Sequence, residues 1–147
     1  MTQGTIEKVA EKLKYLESVL AELQPFRRIT KAEYQSDRRN SRAVERLLQI
    51  AIETALDVAR LLIIEERLRE PDDAQDEFGS LTEAKLIPED LGAKLRAARS
   101  FRNILVHDYV RVDPERVFEH LQKDCGDLEA YAAHISRFVT GKGSLSE

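Results

Sequence analysis

The stretch RAVERLLQIAIETALDVARLLII, residues 42–64, decides the fold. Val44, Leu47, Leu48, Ala51, Ile52, Ala55, Ala59, Leu62 and Ile63 recur at the three-and-four spacing of a helix and make one wide apolar face. The spacing predicts a long helix from about Asp37 to Arg69. Ile50, Leu61 and Ile64 fall outside that face and read either as ordinary exposed apolar residues or as a second contact surface.

Working outward, the same periodicity recurs on both sides. Ile6, Val9, Leu13, Leu16, Leu20 and Leu23 predict a first helix over about 5–24, which Pro25 is expected to stop. Thr30 with Glu33 reads as a capping box opening a short helix. The acidic run from Glu70 to Glu77, ending in Phe78-Gly79, reads as a solvated loop, and Ser80 with Glu83 as a second capping box. Pro88 opens a helix expected to reach Tyr109. Asp113-Pro114 opens the last one, read as far as Val139. No strand alternation or repeat appears. The expected fold is all-α, an antiparallel bundle of four main helices with one or two short connecting helices. One domain is expected over 1–140, with a flexible tail at 141–147.

Composition narrows the function. With 147 residues the chain is large enough for one core without disulfides. Six Gly and four Pro are few for a strand-rich fold. The net charge of −4 argues against broad nucleic-acid binding, so any RNA contact must be local. A lone cysteine, Cys125, fits a reducing cytoplasm and reads as a small buried filler. The amphipathic N-terminus is unlike a signal peptide, and the run Leu61-Leu62-Ile63-Ile64 is too short to span a bilayer.

One segment carries chemistry: Arg102-Asn103-Ile104-Leu105-Val106-His107-Asp108-Tyr109. On a wheel with Arg102 at zero, Leu91, Leu95, Ala98, Phe101 and Leu105 spread from roughly −100° to 20° and form the buried stripe. Arg102 lies at its edge, with Arg99 near about 60°, Asn103 near about 100°, His107 near about 140° and Tyr109 near about −20° if the helix persists. Histidine can take and give protons near neutral pH, and arginine offers a fixed fork of donors to a phosphate gaining charge. One helix supplies one histidine, and a twofold dimer would supply two. The plainer reading is that Arg102 caps a carboxylate, Asp57 or Glu53, and that His107 is a surface residue.

Other residues carry less. His120 and His134 read as solvent-exposed helix residues. No Cys/His cluster has metal-ligand spacing, and there is no GxGxxG or phosphate-binding loop. Arg38, Arg39, Arg42 and Arg46 form either a solvated face or a patch for RNA or a partner. Glu45 and Gln49 border the apolar face of the long helix and read as supports for the motif helix.

The spacing arginine, four residues, histidine, one residue, tyrosine at Arg102, His107 and Tyr109 resembles the HepT-like toxins of the HEPN superfamily. The run from Arg42 to Glu53 resembles that family's long second helix, and Val112-Asp113-Pro114-Glu115 its entry to the last helix. The similarity spans about 6–139. It implies a dimeric bundle whose two motifs face a shared cleft. It also implies a metal-independent endoribonuclease toxin that leaves a 2′,3′-cyclic phosphate. Arg102, His107 and Asn103 are then the expected catalytic residues and Arg99 a candidate RNA-phosphate contact. No metal or cofactor is expected. The implied partners are a second copy of the chain, an RNA substrate and a cognate minimal nucleotidyltransferase antitoxin that transfers AMP to Tyr109, in the cytoplasm and away from membranes. The alternative is a non-catalytic helical module that binds nucleotides or serves as an accessory subunit of a nucleotidyltransferase.

Overall fold

The computed structural model describes residues 1–72, 76–108, 110 and 112–145, with side chains through 142. Its helices are α1 (Gln3–Arg28), α2 (Lys31–Gln35), α3 (Arg38–Glu65), α4 (Glu77–Glu83), α5 (Glu89–His107) and α6 (Pro114–Leu145). No strand occurs among the described residues. The fold is the expected all-α bundle: α1, α3, α5 and α6 are the main helices, and α2 and α4 are short connectors.

The helix α3 lies at the centre. Val44, Leu48, Ala51, Ile52, Ala55, Leu56, Val58, Ala59 and Leu62 are all at most 1% exposed, because α1, α4, α5 and α6 cover it from several sides. Side-chain bridges give the directions. Tyr131 of α6 donates its hydroxyl to Ala55 O at 2.9 Å and Lys142 reaches Glu66 at 3.4 Å, so α6 runs parallel to α3. Gln24 and Arg27 both reach Glu129, and Gln122 reaches Arg27 O, so α1 runs against α6. Of the apolar residues outside the α3 face, Ile64 is 73% exposed, whereas Ile50 and Leu61 pack part-buried against the core.

The helix ends depart from expectation for physical reasons. Proline at position 25 does not stop α1, which continues to Arg28. The last turn is held from outside, by Arg27 and Gln24 on Glu129 and by Gln122 donating to the carbonyl of Arg27. These contacts offset the missing N–H of the proline. In the other direction, α3 stops short of Arg69. Arg67 takes a left-handed φ of 53°, Leu68 N donates to Ile63 O, and Arg67 N donates to Ile64 O. This is a Schellman ending with arginine where glycine is usual, so the sequence carried no stop signal. Lys85 ends α4 in the same way, with φ 65° and Leu86 N donating to Leu81 O.

The acidic loop also ends sooner than its composition suggested. Asp76 caps α4 by accepting from Gly79 N at 3.0 Å, and Ser80 is buried inside the helix instead of capping it. Phe78 is drawn fully into the core and meets the Tyr131 ring edge-on at 5.5 Å. Asp76 and Glu77 are therefore buried, in reach of Arg96, Arg60 and Arg99. Close contact with α5 follows, and a Cβ at Gly92 would overlap the Thr82 side chain. The capping box of Thr30 and Glu33 forms as expected. The helix α6 starts at Pro114, with Asp113 accepting from Glu115 N, and runs through Gly141 to Leu145, beyond its expected end.

Candidate active site

Arg102, Asn103 and His107 sit on the last two turns of α5. Leu91, Leu95, Ala98, Phe101 and Leu105 are buried, which anchors the helix and leaves Arg102 at the margin of the core. Arg102 crosses to α3. Its Nε and Nη2 donate to Glu53 Oε1 at 3.2 and 2.8 Å, and its Nη1 donates to Asn103 Oδ1 at 3.0 Å. Gln49 Nε2 also donates to Glu53 Oε1, at 3.3 Å. The guanidinium has five N–H donors, and three are used in these bonds. Among the described residues the other two have no partner, on a side chain 24% exposed. The arginine is thus held in place and still able to meet an anion.

His107 is the final residue of α5, exposed, and its side chain makes no hydrogen bond among the described residues. The helix ends there: Asp108 is the C-cap and its N–H donates to Ile104 O. Tyr109, two residues on and expected on the Arg102 side if the helix persisted, lies outside the described residues. The structure therefore brings Arg102 and Asn103 into contact and places His107 free on the same helix. Arg99 is engaged elsewhere, its Nε 3.4 Å from Glu77 Oε2.

Two supports were only partly legible. The carboxylate beneath Arg102 is Glu53, one of the two candidates; Asp57 pairs with Arg60 instead. Gln49 does support the motif, acting through Glu53, whereas Glu45 lies beside Arg38, Arg42 and Tyr34. A correction concerns the histidines of α6. His120 is not a solvent-exposed residue. Its ring stacks on Phe101 with centroids 3.7 Å apart and planes within 1°, and its Nδ1 meets the buried Asp124 at 3.1 Å. The i, i+4 spacing of His120 and Asp124 was the signal available in the sequence. His134 is part-buried beside Arg137. Cys125 is fully buried, and burial pushes its thiol up to about 12. Among the described residues no group of His, Cys, Asp or Glu is arranged to hold a metal ion, and no helix is long and apolar enough to cross a membrane.

The all-helical bundle, with Arg102 and His107 on the last two turns of α5, is what the resemblance to the HepT-like toxins implies for a single chain. Residues 15–135 match the family model described as Ribonuclease HepT-like, and the chain belongs to that family. It is 22% identical over 131 residues to the tRNA nuclease HepT of Aphanizomenon flos-aquae, covering 89% of each chain. It is 32% identical over 117 residues to a putative RNase of Archaeoglobus fulgidus, covering 80% of this chain and 82% of the relative. In fold it is similar to a tri-AMPylated Shewanella oneidensis HEPN toxin solved in complex with MNT antitoxin. That match has TM-score 0.79 and 23% identity, and covers 93% of this chain and 99% of the other. Family membership decides between the two readings of the sequence in favour of an endoribonuclease.

Proposed function

We propose that this chain is the ribonuclease toxin of a toxin–antitoxin pair and cleaves RNA without a metal, by attack of a 2′-hydroxyl on the adjacent phosphorus. The 2′-oxygen forms its bond to phosphorus as the 5′-oxygen of the next nucleotide leaves, giving a 2′,3′-cyclic phosphate and a 5′-hydroxyl. The observation that carries the reading is a guanidinium fixed by Glu53 and Asn103, with two donors unused and a nearby imidazole on the same short helix segment unbound among the described residues. Arg102 stabilises the charge gathering on the phosphorane oxygens. His107 moves the protons, from the attacking hydroxyl or to the departing oxygen. Asn103 orients Arg102 and the phosphate. Two copies of the chain, paired with their motifs facing, supply one histidine for each proton.

The proposed antitoxin is a minimal nucleotidyltransferase, as in the complex of the structural relative. Its target is Tyr109, two residues beyond His107. The phenol oxygen attacks the α-phosphorus of ATP, pyrophosphate leaves, and the phenolic proton passes to a base of the transferase. The resulting anionic adenylate beside Arg102 and His107 repels an RNA phosphate and fills its place. Arg99 stands one turn before Arg102 as the next phosphate contact, once released from Glu77.

The test is product analysis. Purified protein incubated with single-stranded RNA in EDTA should release fragments ending in a 2′,3′-cyclic phosphate. Cleavage that needs an added divalent ion, or that leaves a linear 3′-hydroxyl, contradicts the chemistry. Intact-mass analysis after co-expression with the transferase should show adenylate adducts that vanish in Tyr109→Phe, and adducts surviving that substitution contradict the regulation.

A further inference from the structure

The flank of α3 that carries Glu53 to the motif also carries Arg38, Arg42 and Arg46. At about 100° per residue the three span roughly 80°, and Gln49 and Glu53 fall within that same arc. All three arginines are exposed. Among the described residues none of them has a carboxylate in ion-pair contact. Arg39, one step off the arc, is different, because its Nε and Nη2 close onto Asp37 at 2.8–3.2 Å. Glu45, part-buried, is within electrostatic reach of Arg42 and Arg38, and at the N-terminal end of the stripe Asp37, Asp113 and Glu115 line a pocket with Arg38. Asp37 and Glu115 are themselves paired, with Arg39 and Lys31, so the three arginines form a local basic stripe in a chain whose net charge is −4.

Direction gives the stripe its meaning. Arg102 meets Glu53, while Arg99 and Arg60 meet at Glu77, so α5 runs against α3. From Arg102 to His107 the motif therefore advances about 7.5 Å toward the N-terminal half of α3. From Glu53 to Arg46 the advance along α3 is about 10 Å, which sets Arg46 just past the level of His107. Arg42 and Arg38 follow at steps of about 6 Å, close to the repeat of phosphates along an extended single strand.

We propose that Arg38, Arg42 and Arg46 form a phosphate track that holds the single-stranded RNA running from the cleavage site at His107 along the N-terminal half of α3. This rests on the ribonuclease reading and adds to it the path of the substrate. Each guanidinium presents a planar fork to a phosphate, and each contact releases counterions from the strand.

The experiment measures binding of a labelled single-stranded RNA as a function of salt, in the His107→Ala background so that cleavage does not interfere. Replacing all three arginines by Gln should reduce the log–log salt slope by about 2, at about 0.7 per phosphate contact, and Arg42→Gln alone by about 0.7. Arg39→Gln should leave the slope unchanged. In the cleaving protein the triple variant should raise KM about tenfold or more with kcat kept. Unchanged slope and KM in the triple variant overturn the track, as does an equal loss from Arg39→Gln. A triple variant that keeps its RNA slope but loses the nucleotidyltransferase assigns the stripe to a protein contact and overturns it too. A wild-type protein that binds with the expected slope but does not cleave breaks the ribonuclease reading and leaves the track standing.

Discussion

Two histidines flank the inner end of α5, and their surroundings are opposite. His107 ends the helix in solvent with no partner among the described residues. His120, on α6, is clamped between the face of Phe101 and the carboxylate of Asp124, which is 3% exposed. A ring that must accept and release protons to a substrate needs reach and freedom. A ring stacked at 3.7 Å with its Nδ1 bound to a buried acid has neither, but it ties α6 to α5 directly beneath the motif. On the proposed mechanism, chemistry and support are thus divided between two residues of the same type. The division could not have been assigned from residue identity.

The sharpest way to break this contrast is His107→Ala. It should lower cleavage by about 10²–10⁴-fold, the usual range for losing a general acid or base, while thermal melting stays at the wild-type temperature. Arg102→Ala should follow, with a loss of about 10²–10³-fold and no rescue by Arg102→Lys, because a point charge does not reproduce the fork held by Glu53 and Asn103. His120→Ala should do the reverse. Losing the stack and stranding the buried Asp124 should cost about 1–3 kcal/mol in denaturant unfolding, with kcat within about twofold of wild type. A fall in activity without any loss of stability would transfer His120 to the chemistry. The mildest probe is Cys125, next to Asp124. With its thiol pushed up to about 12 by burial, it should resist iodoacetamide at neutral pH until the protein is unfolded. Rapid labelling of the folded protein would show that α6 opens locally there.

The bundle was legible in the sequence because its evidence is redundant. Nine apolar positions on α3 and six on α1 repeat at one period, and no single residue decides them. The ends were less legible because each rests on one contact. Pro25 is outweighed by Glu129 and Gln122, more than ninety residues away, and Arg67 and Lys85 adopt a left-handed φ that glycine would have announced. The motif itself was legible, as was its edge position beside the core stripe. Its setting was legible in part. Glu53 was one of two acids within helical reach of Arg102, and packing chose it by leaving Asp57 to Arg60. The burial of Asp76 and Glu77 was hidden because acidic composition reads as solvated, and three arginines from α3 and α5 reverse that.

The most direct test of the central claim, that the free imidazole of His107 moves the protons, is chemical rescue. Imidazole added to His107→Ala should restore cleavage of single-stranded RNA in proportion to its concentration, while His120→Ala, already active, should not respond. Cleavage by His107→Ala at the wild-type rate without imidazole would contradict the account.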